Sequence, residues 1–304
     1  MNRRRFIHQT GFAAACTYLN TLPLIDLEHR DLVRVTILHT NDVHSRIDPF
    51  PEDGSRNAGQ GGVARRAALL ERIRSKEKNV LLLDAGDIFQ GTPYFNLYNG
   101  ELEIKLMTDL RYDAATIGNH DFDAGIENLS QQLVHSSFPM VSSNYRFTDT
   151  PLESTVKKYL TWDFDDVRIG MYALDIELDG LVPQELYGNT VYQDPIKTAQ
   201  YYERLLVDDL NCDYVICLSH LGYRYRGDKV SDVVIAESTS STDLIIGGHT
   251  HTFMDEPHIT TNRAGVPVII NQAGWAGILL GRVDITFEKR SKKRRLSGGN
   301  ISVS

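Results

Sequence analysis

An α/β fold in which buried strands alternate with amphipathic helices is what this sequence predicts, and three observations predict it. Short β-branched and apolar runs recur along the chain, and several are continuously apolar, as strands covered on both faces are. Helix-period stretches lie between some of these runs. Five of the runs end in the same polar residue types, and open α/β sheets gather their sites at the carboxyl ends of strands.

The runs that predict strands are 33–39, 80–83, 115–117, 139–142, 167–174, 214–218, 244–246, 266–270 and 283–287. The helix-period stretches are 62–76, 126–134 and 196–206. In the first, Val63, Ala67, Leu70 and Ile73 share a face, with arginines and glutamate elsewhere. The chain has 304 residues, is 41% hydrophobic and 24% charged, and carries a formal net charge of -8. Those values exclude a disordered chain, a fibrous repeat and a disulfide mini-scaffold. The acidic balance speaks against a nucleic acid polymer as partner. No run of about 20 apolar residues occurs, so no transmembrane span is expected.

The ends of the chain read differently. Arg3-Arg4-Arg5-Phe6-Ile7 precedes the short apolar stretch Gly11-Phe12-Ala13-Ala14-Ala15-Cys16, and this pattern predicts a twin-arginine-type export signal over residues 1–30. It places the protein in the periplasm or cell envelope. Cys16 is a candidate lipidated cysteine, although no Leu stands three residues before it. Residues 289–304 read as a solvated basic tail, or alternatively as one that contacts an acidic surface, with six basic residues in the seven from Lys289 to Arg295.

The polar residues at the strand ends carry the chemistry. They are Asp42 and His44, Asp84 and Asp87, Asn119 with His120, Asp121 and Asp123, then His220, then His249 and His251. Burying so many carboxylates and imidazoles without a counter-charge costs several kcal/mol each. Divalent metal supplies that charge. A set of His, carboxylate and amide without thiolate suits Zn, Mn, Fe or Co. With a period of two, Asp42-x-His44 and His249-x-His251 each read as a pair on one strand face. Adding Asp87, Asn119 and His220 gives too many ligands for one four-coordinate ion. Two divalent ions about 3.5–4 Å apart and bridged by a carboxylate account for the excess.

These residues carry a family resemblance. Asp42-x-His44, Gly86-Asp87, Gly118-Asn119-His120-Asp121, His220 and Gly248-His249-Thr250-His251 resemble the calcineurin-like metallophosphoesterases. The longer strings are Leu38-His39-Thr40-Asn41-Asp42-Val43-His44, Gly61-Gly62-Val63-Ala64-Arg65 and the run from Gly118 to Gly125; they look like the 5'-nucleotidase branch. The likeness covers about residues 33–288. It implies a two-layered β-sandwich flanked by helices, with ligands on loops at strand C-terminal ends, in a domain over residues 31–288. It also implies that Asp42, His44, Asp87 and His251 hold one metal, that Asp87, Asn119, His220 and His249 hold the other, and that His120 and Asp123 form a catalytic dyad. His251 departs from members with Gln or Asn there. Asp121, where many relatives have Glu, receives no role.

The function expected from this resemblance is hydrolysis of a small phosphoester, nucleotide-like, by a 5'-nucleotidase-type phosphomonoesterase. Alternatives are a phosphodiesterase, a nucleotide-sugar hydrolase or a thiosulfohydrolase of the same family, or a subunit inactive without a partner. Relatives of this branch continue into a second, substrate-binding domain, so a separately encoded C-terminal-domain protein is an expected partner. Tyr223, Arg224, Tyr225 and Arg226 read as an exposed loop or as local substrate binders, and Trp275 as a cleft, core or interface residue.

Overall fold

The computed structural model describes residues 32–289 and 293–304. The predicted export signal and Cys16 lie outside the described residues. The strands are β1 (Leu32–Thr40), β2 (Val80–Asp84), β3 (Ala114–Ala115), β4 (Tyr145–Arg146), β5 (Tyr159–Phe164), β6 (Val167–Leu174) and β7 (Val191–Tyr192). They continue with β8 (Tyr214–Ser219), β9 (Leu244–Gly247), β10 (His258–Thr261), β11 (Pro267–Asn271), β12 (Leu279–Glu288) and β13 (Arg294–Ser302). The helices are α1 (Val63–Arg74), α2 (Pro93–Tyr98), α3 (Glu101–Asp109), α4 (Ile126–Leu133), α5 (Gln184–Tyr187), α6 (Pro195–Arg204) and α7 (Asp232–Ser238).

Two sheets form the centre. One runs β13-β12-β1-β2-β3, with β1, β2 and β3 parallel and the last two strands of the chain antiparallel at the other edge. The second runs β10-β11-β9-β8-β6-β5 and is parallel from β6 to β11. Side chains alternate across each strand, and the alternation builds three layers of core. Val33, Val35 and Ile37 of β1 meet Ile169 and Met171 of β6 and Ile216 of β8 between the sheets. Leu38 and Leu82 face outward onto Leu70 and Ile73 of α1 and Ile104 of α3. Val215, Cys217 and Ile245 face the opposite way, onto α6 and α7. The result is helix, sheet, sheet, helix, as the resemblance implied. None of the described helices is long and apolar enough to cross a membrane.

Three local expectations are corrected. The run 139–142 forms no strand; beside β3 it makes the single bridge Ala115↔Met140, and Pro139 has no N–H to extend the ladder. On α1 the predicted face packs on the core, with Leu70 and Ile73 buried and Val63 and Ala67 partly buried against them, but the arginines do not all lie elsewhere: Arg66 is buried too, beside Leu69. The basic tail is not a solvated tail where it is described: Arg294–Ser302 pairs antiparallel with β12 along its whole length. The reason is specific partnering. Arg294 pairs with Asp243 and stacks over the Tyr214 ring at 5.0 Å. Asn300 donates to the carbonyls of Met254 and Gln272 at 2.7 and 2.8 Å. Arg295, the other basic residue of this strand, is exposed at the edge of the sheet, where charge discourages further pairing.

Candidate metal centre

The carboxyl ends of β1, β2, β3, β8 and β9 meet at one edge of the sandwich, and each continues into a short loop. The candidate ligands sit on these loops and not on strand faces. Asp42, His44, Asp87, His249 and His251 all have left-handed backbone, with φ of 51°, 51°, 56°, 69° and 50°. That corrects the reading of the two Asp/His-x-His pairs as period-two strand faces. Left-handed turns bring alternate residues to one point by folding the chain back, whereas a strand would splay them along its length. Such conformations are uncommon outside glycine and gather where surrounding structure enforces them.

The loops converge closely. Asp42, His44, Asp87 and His251 each present one ligand atom, all within 4.8 Å of one another. Asp87, His220 and His249 do the same. Asp87 therefore belongs to both groups. His44 Nε2 and His251 Nε2 are 3.0 Å apart, and His251 Nε2 is 3.3 Å from Asp42 Oδ1. His220 Nε2 is 3.1 Å from Asp87 Oδ2. Asn119 joins the second group through Oδ1, 2.9 Å from His249 Nδ1. All seven predicted ligands thus meet, four from loops of the first sheet and three from loops of the second.

The donor chemistry fits metal. The Nδ1–H of His220 donates to the Ala85 carbonyl at 2.6 Å, and that of His44 points to the Phe89 carbonyl at 3.2 Å. These contacts leave both Nε2 lone pairs aimed inward, the usual arrangement behind a metal-bound imidazole. His220 Nε2 is wholly buried and faces Asp87 Oδ2 at 3.1 Å. Burial holds His44 below the usual imidazole range and His249 down to about 3, so both stay neutral, as ligands must be. His220 balances the other way: burial lowers it, but the Asp87 charge outweighs burial and lifts it to about 10. For Asp87, burial disfavours charge, yet His220 and His44 hold its carboxyl below the usual range. A buried imidazole set so tightly against one carboxylate needs a shared positive charge, from a proton or from a metal.

His120 stands beside this cluster. Its ring centroid is 5.2 Å from that of His44, and its Nδ1 is 2.9 Å from Asp123 Oδ2. That hydrogen bond raises the His120 pKa against the opposing effect of burial. The His120 side chain is 38% exposed, so it lies at the mouth of the site.

Several supporting residues were not foreseen. Asp121 accepts four backbone N–H bonds, from Asp87, Ile88, Phe89 and Gly118, at 2.7–3.1 Å. It ties the Asp87 loop to the Asn119 loop. Burial pushes its carboxyl toward about 7, but four amide donors are what an ionised carboxylate attracts. Asn41 donates to Asp42 Oδ2 at 2.7 Å and to the Gly274 carbonyl at 2.6 Å. Gln272 holds the loop of His249 and His251, donating to the Gly248 carbonyl at 2.8 Å and accepting from the Thr252 amide at 3.0 Å. The signal available for these was position: each is a polar residue on a segment that follows a strand.

Of the other candidates, Trp275 stacks parallel on His251, with centroids 5.7 Å apart and planes at 7°, and Phe50 meets its edge. It is therefore a wall of the site and neither core nor interface alone. Tyr223 turns to His258 on β10, and Tyr225 donates to the Leu221 carbonyl of its own loop at 2.6 Å, so both phenols are engaged within the protein; Arg224 and Arg226 are exposed.

Comparison with known proteins agrees with this geometry. The model of the calcineurin-like phosphoesterase family matches residues 35–253. The 5'-nucleotidase of Homo sapiens is 36% identical over 292 residues, covering 89% of this chain and 49% of that protein. The snake venom 5'-nucleotidase of Naja atra is 33% identical over 291 residues, covering 89% and 53%. The crystal structure of a 5'-nucleotidase precursor from Thermus thermophilus aligns with a TM-score of 0.77 at 30% identity, covering 89% of this chain and 54% of that one. The chain spans about half the length of these relatives. With the matched family model and a shared arrangement of sheets behind it, the chain belongs to the calcineurin-like phosphoesterase family, the metal-dependent phosphoester hydrolases, and is related within it to the 5'-nucleotidases.

Proposed function

We propose that the chain hydrolyses phosphate monoesters of the nucleotide type at a two-metal centre. The observation that carries this reading is that Asp87 belongs to both ligand groups while His120 stands beside them. Asp42, His44, Asp87 and His251 would hold one divalent ion, and Asp87, Asn119, His220 and His249 the other. When bound, such ions supply the positive charge that neutralises phosphoryl oxygens and lowers the pKa of the attacking water. The protein residues do the rest. Asp121, Asn41 and Gln272 fix the ligand loops before substrate arrives. Asp123 holds Nδ1 of His120 and favours the protonated ring. His120, at the mouth, then donates a proton to the leaving alkoxide, which would otherwise depart as a poor leaving group.

The relatives named as 5'-nucleotidases support a nucleotide monoester as substrate. The test is turnover of AMP, bis-p-nitrophenyl phosphate and UDP-glucose by purified protein with Mn²⁺ or Zn²⁺. AMP turnover is expected to dominate; turnover of the diester or of UDP-glucose without AMP sinks the monoesterase reading. We also propose export, from the residue pattern at positions 1–30. Mass spectrometry of the mature N-terminus checks it, and an intact Met1 in the native host would refute it.

A further inference from the structure

A small, partly open cavity of about 20 Å³ lies beneath the loop that carries His44, between that loop, α1 and α3. Six of its twelve lining residues are polar or charged. Ser45, Arg46, Arg66, Asp84, Glu103 and Tyr112 all contribute to it. Arg66 is 4% exposed and Glu103 5% exposed. Five buried polar atoms of this lining have no hydrogen-bond partner: Ser45 Oγ, Arg46 Nε, Arg66 Nε and both carboxylate oxygens of Glu103. Leaving a buried charged group unpaired costs several kcal/mol, so these atoms need a ligand.

The partners say which ligand. An anion would satisfy the two arginines and be repelled by Glu103. A cation would satisfy Glu103 and be repelled by the two arginines. A water molecule accepts from the two N–H groups and donates to the carboxylate and the hydroxyl, which uses its four hydrogen-bonding positions. The volume suits it too, since a single water needs about 10–15 Å³ and two to four polar partners.

We propose that this cavity is a binding site for one ordered water, which joins Glu103 of α3 and Arg66 of α1 to Ser45 and Arg46 on the loop that carries His44. The pair of buried charges is thus coupled through the water and not by direct contact.

Two experiments test it. A crystal structure at roughly 1.8 Å or better should show one density peak in the cavity, within hydrogen-bond distance of at least three of the four residues. No peak, a direct Arg66–Glu103 contact that closes the cavity, or an anomalous peak there after a bromide or rubidium soak would overturn the proposal. The second reads thermal unfolding of Arg66→Met, Glu103→Leu and the double variant. Each single change leaves the bridge without one partner and should lower Tm by roughly 5–10 °C, with Asp84 remaining as a second counter-charge for Arg66 when Glu103 is lost. The double variant removes both charges and should melt closer to wild type than either single variant. Losses that simply add would show that the two residues are not coupled. Glu103→Gln keeps the shape and should fold, with a smaller loss than Glu103→Leu; an equal or larger loss counts against the bridge.

Discussion

Replacing Gly118 by alanine probes the centre without replacing any ligand. Gly118 has no left-handed φ, so the change adds no backbone strain; the effect is steric. A Cβ at Gly118 would stand 2.1 Å from Asp87 Oδ1 and 2.3 Å from the Asp87 amide nitrogen. Ordinary contact begins near 3.4 Å, so Asp87 and residue 118 must separate by about 1.3 Å. Neither side yields easily. The Asp87 loop and the Gly118 amide are both bonded to Asp121, at 3.1 and 2.7 Å. Overpacking of this kind costs about 1–3 kcal/mol in stability. Ligand distances tolerate only about 0.2 Å of error, so the shared carboxylate would leave both metal groups together. A misplacement near 1 Å costs roughly 100-fold in rate. The expected outcome is a folded variant with kcat/KM on AMP reduced at least about 100-fold and fewer than two metals per chain by mass spectrometry. A variant with wild-type turnover and two bound metals would refute the role given to Asp87.

Four further outcomes follow from the same geometry. Asp87→Asn should lose both ions, because an amide cannot serve two cations as a shared anion; metal analysis showing wild-type occupancy would overturn the ligand partition. His120→Ala should keep its metals and lose about 10²–10⁴ in kcat, and loss of metal instead would make His120 a ligand. Asp121→Ala strips four amides of their acceptor and should cost at least about 3 kcal/mol in urea unfolding; a cost under about 1 kcal/mol would show that the loops hold themselves. Chelation should lower Tm, since a ligand at 100 times its Kd stabilises by about 2.7 kcal/mol; an unchanged Tm after metal removal, verified by metal analysis, would mean that the sandwich does not depend on the ions.

The strand ends were legible because chemistry and topology coincide there. Continuously apolar runs signal buried parallel strands, and a parallel sheet aligns their carboxyl ends, so Asp42, Asp87, Asn119, His220 and His249 could be gathered from spacing alone. What was not legible depended on distant partners. A period of two does not reach Asp42-x-His44 because β1 ends at Thr40, and backbone handedness beyond that point is set by contacts such as the Asp42 amide bonding to the Gly86 carbonyl at 2.9 Å. Arg294 reads as solvent-facing until Asp243, 51 positions away, is seen to hold it. Arg66 has the same character: a charge on the inner face of a helix makes sense beside Asp84 and Glu103, which local sequence does not bring near. Asp121 escaped because its four partners are backbone amides, which carry no residue-type signal.

The left-handed ligand loops have a consequence for how this centre can change. Asp, Asn and His are the non-glycine residues most at ease in that conformation. They are also good ligands for divalent metals, so at Asp42, His44, Asp87, His249 and His251 the backbone and the chemistry select from the same short alphabet. Glu, Cys or a β-branched residue at these points would meet a conformational penalty before any question of affinity arose. New metal preferences are therefore more accessible by exchange within that alphabet, as between His and Asn at position 251, than by import of thiolate or longer carboxylate ligands. The loops narrow the centre's evolutionary paths through torsion angles.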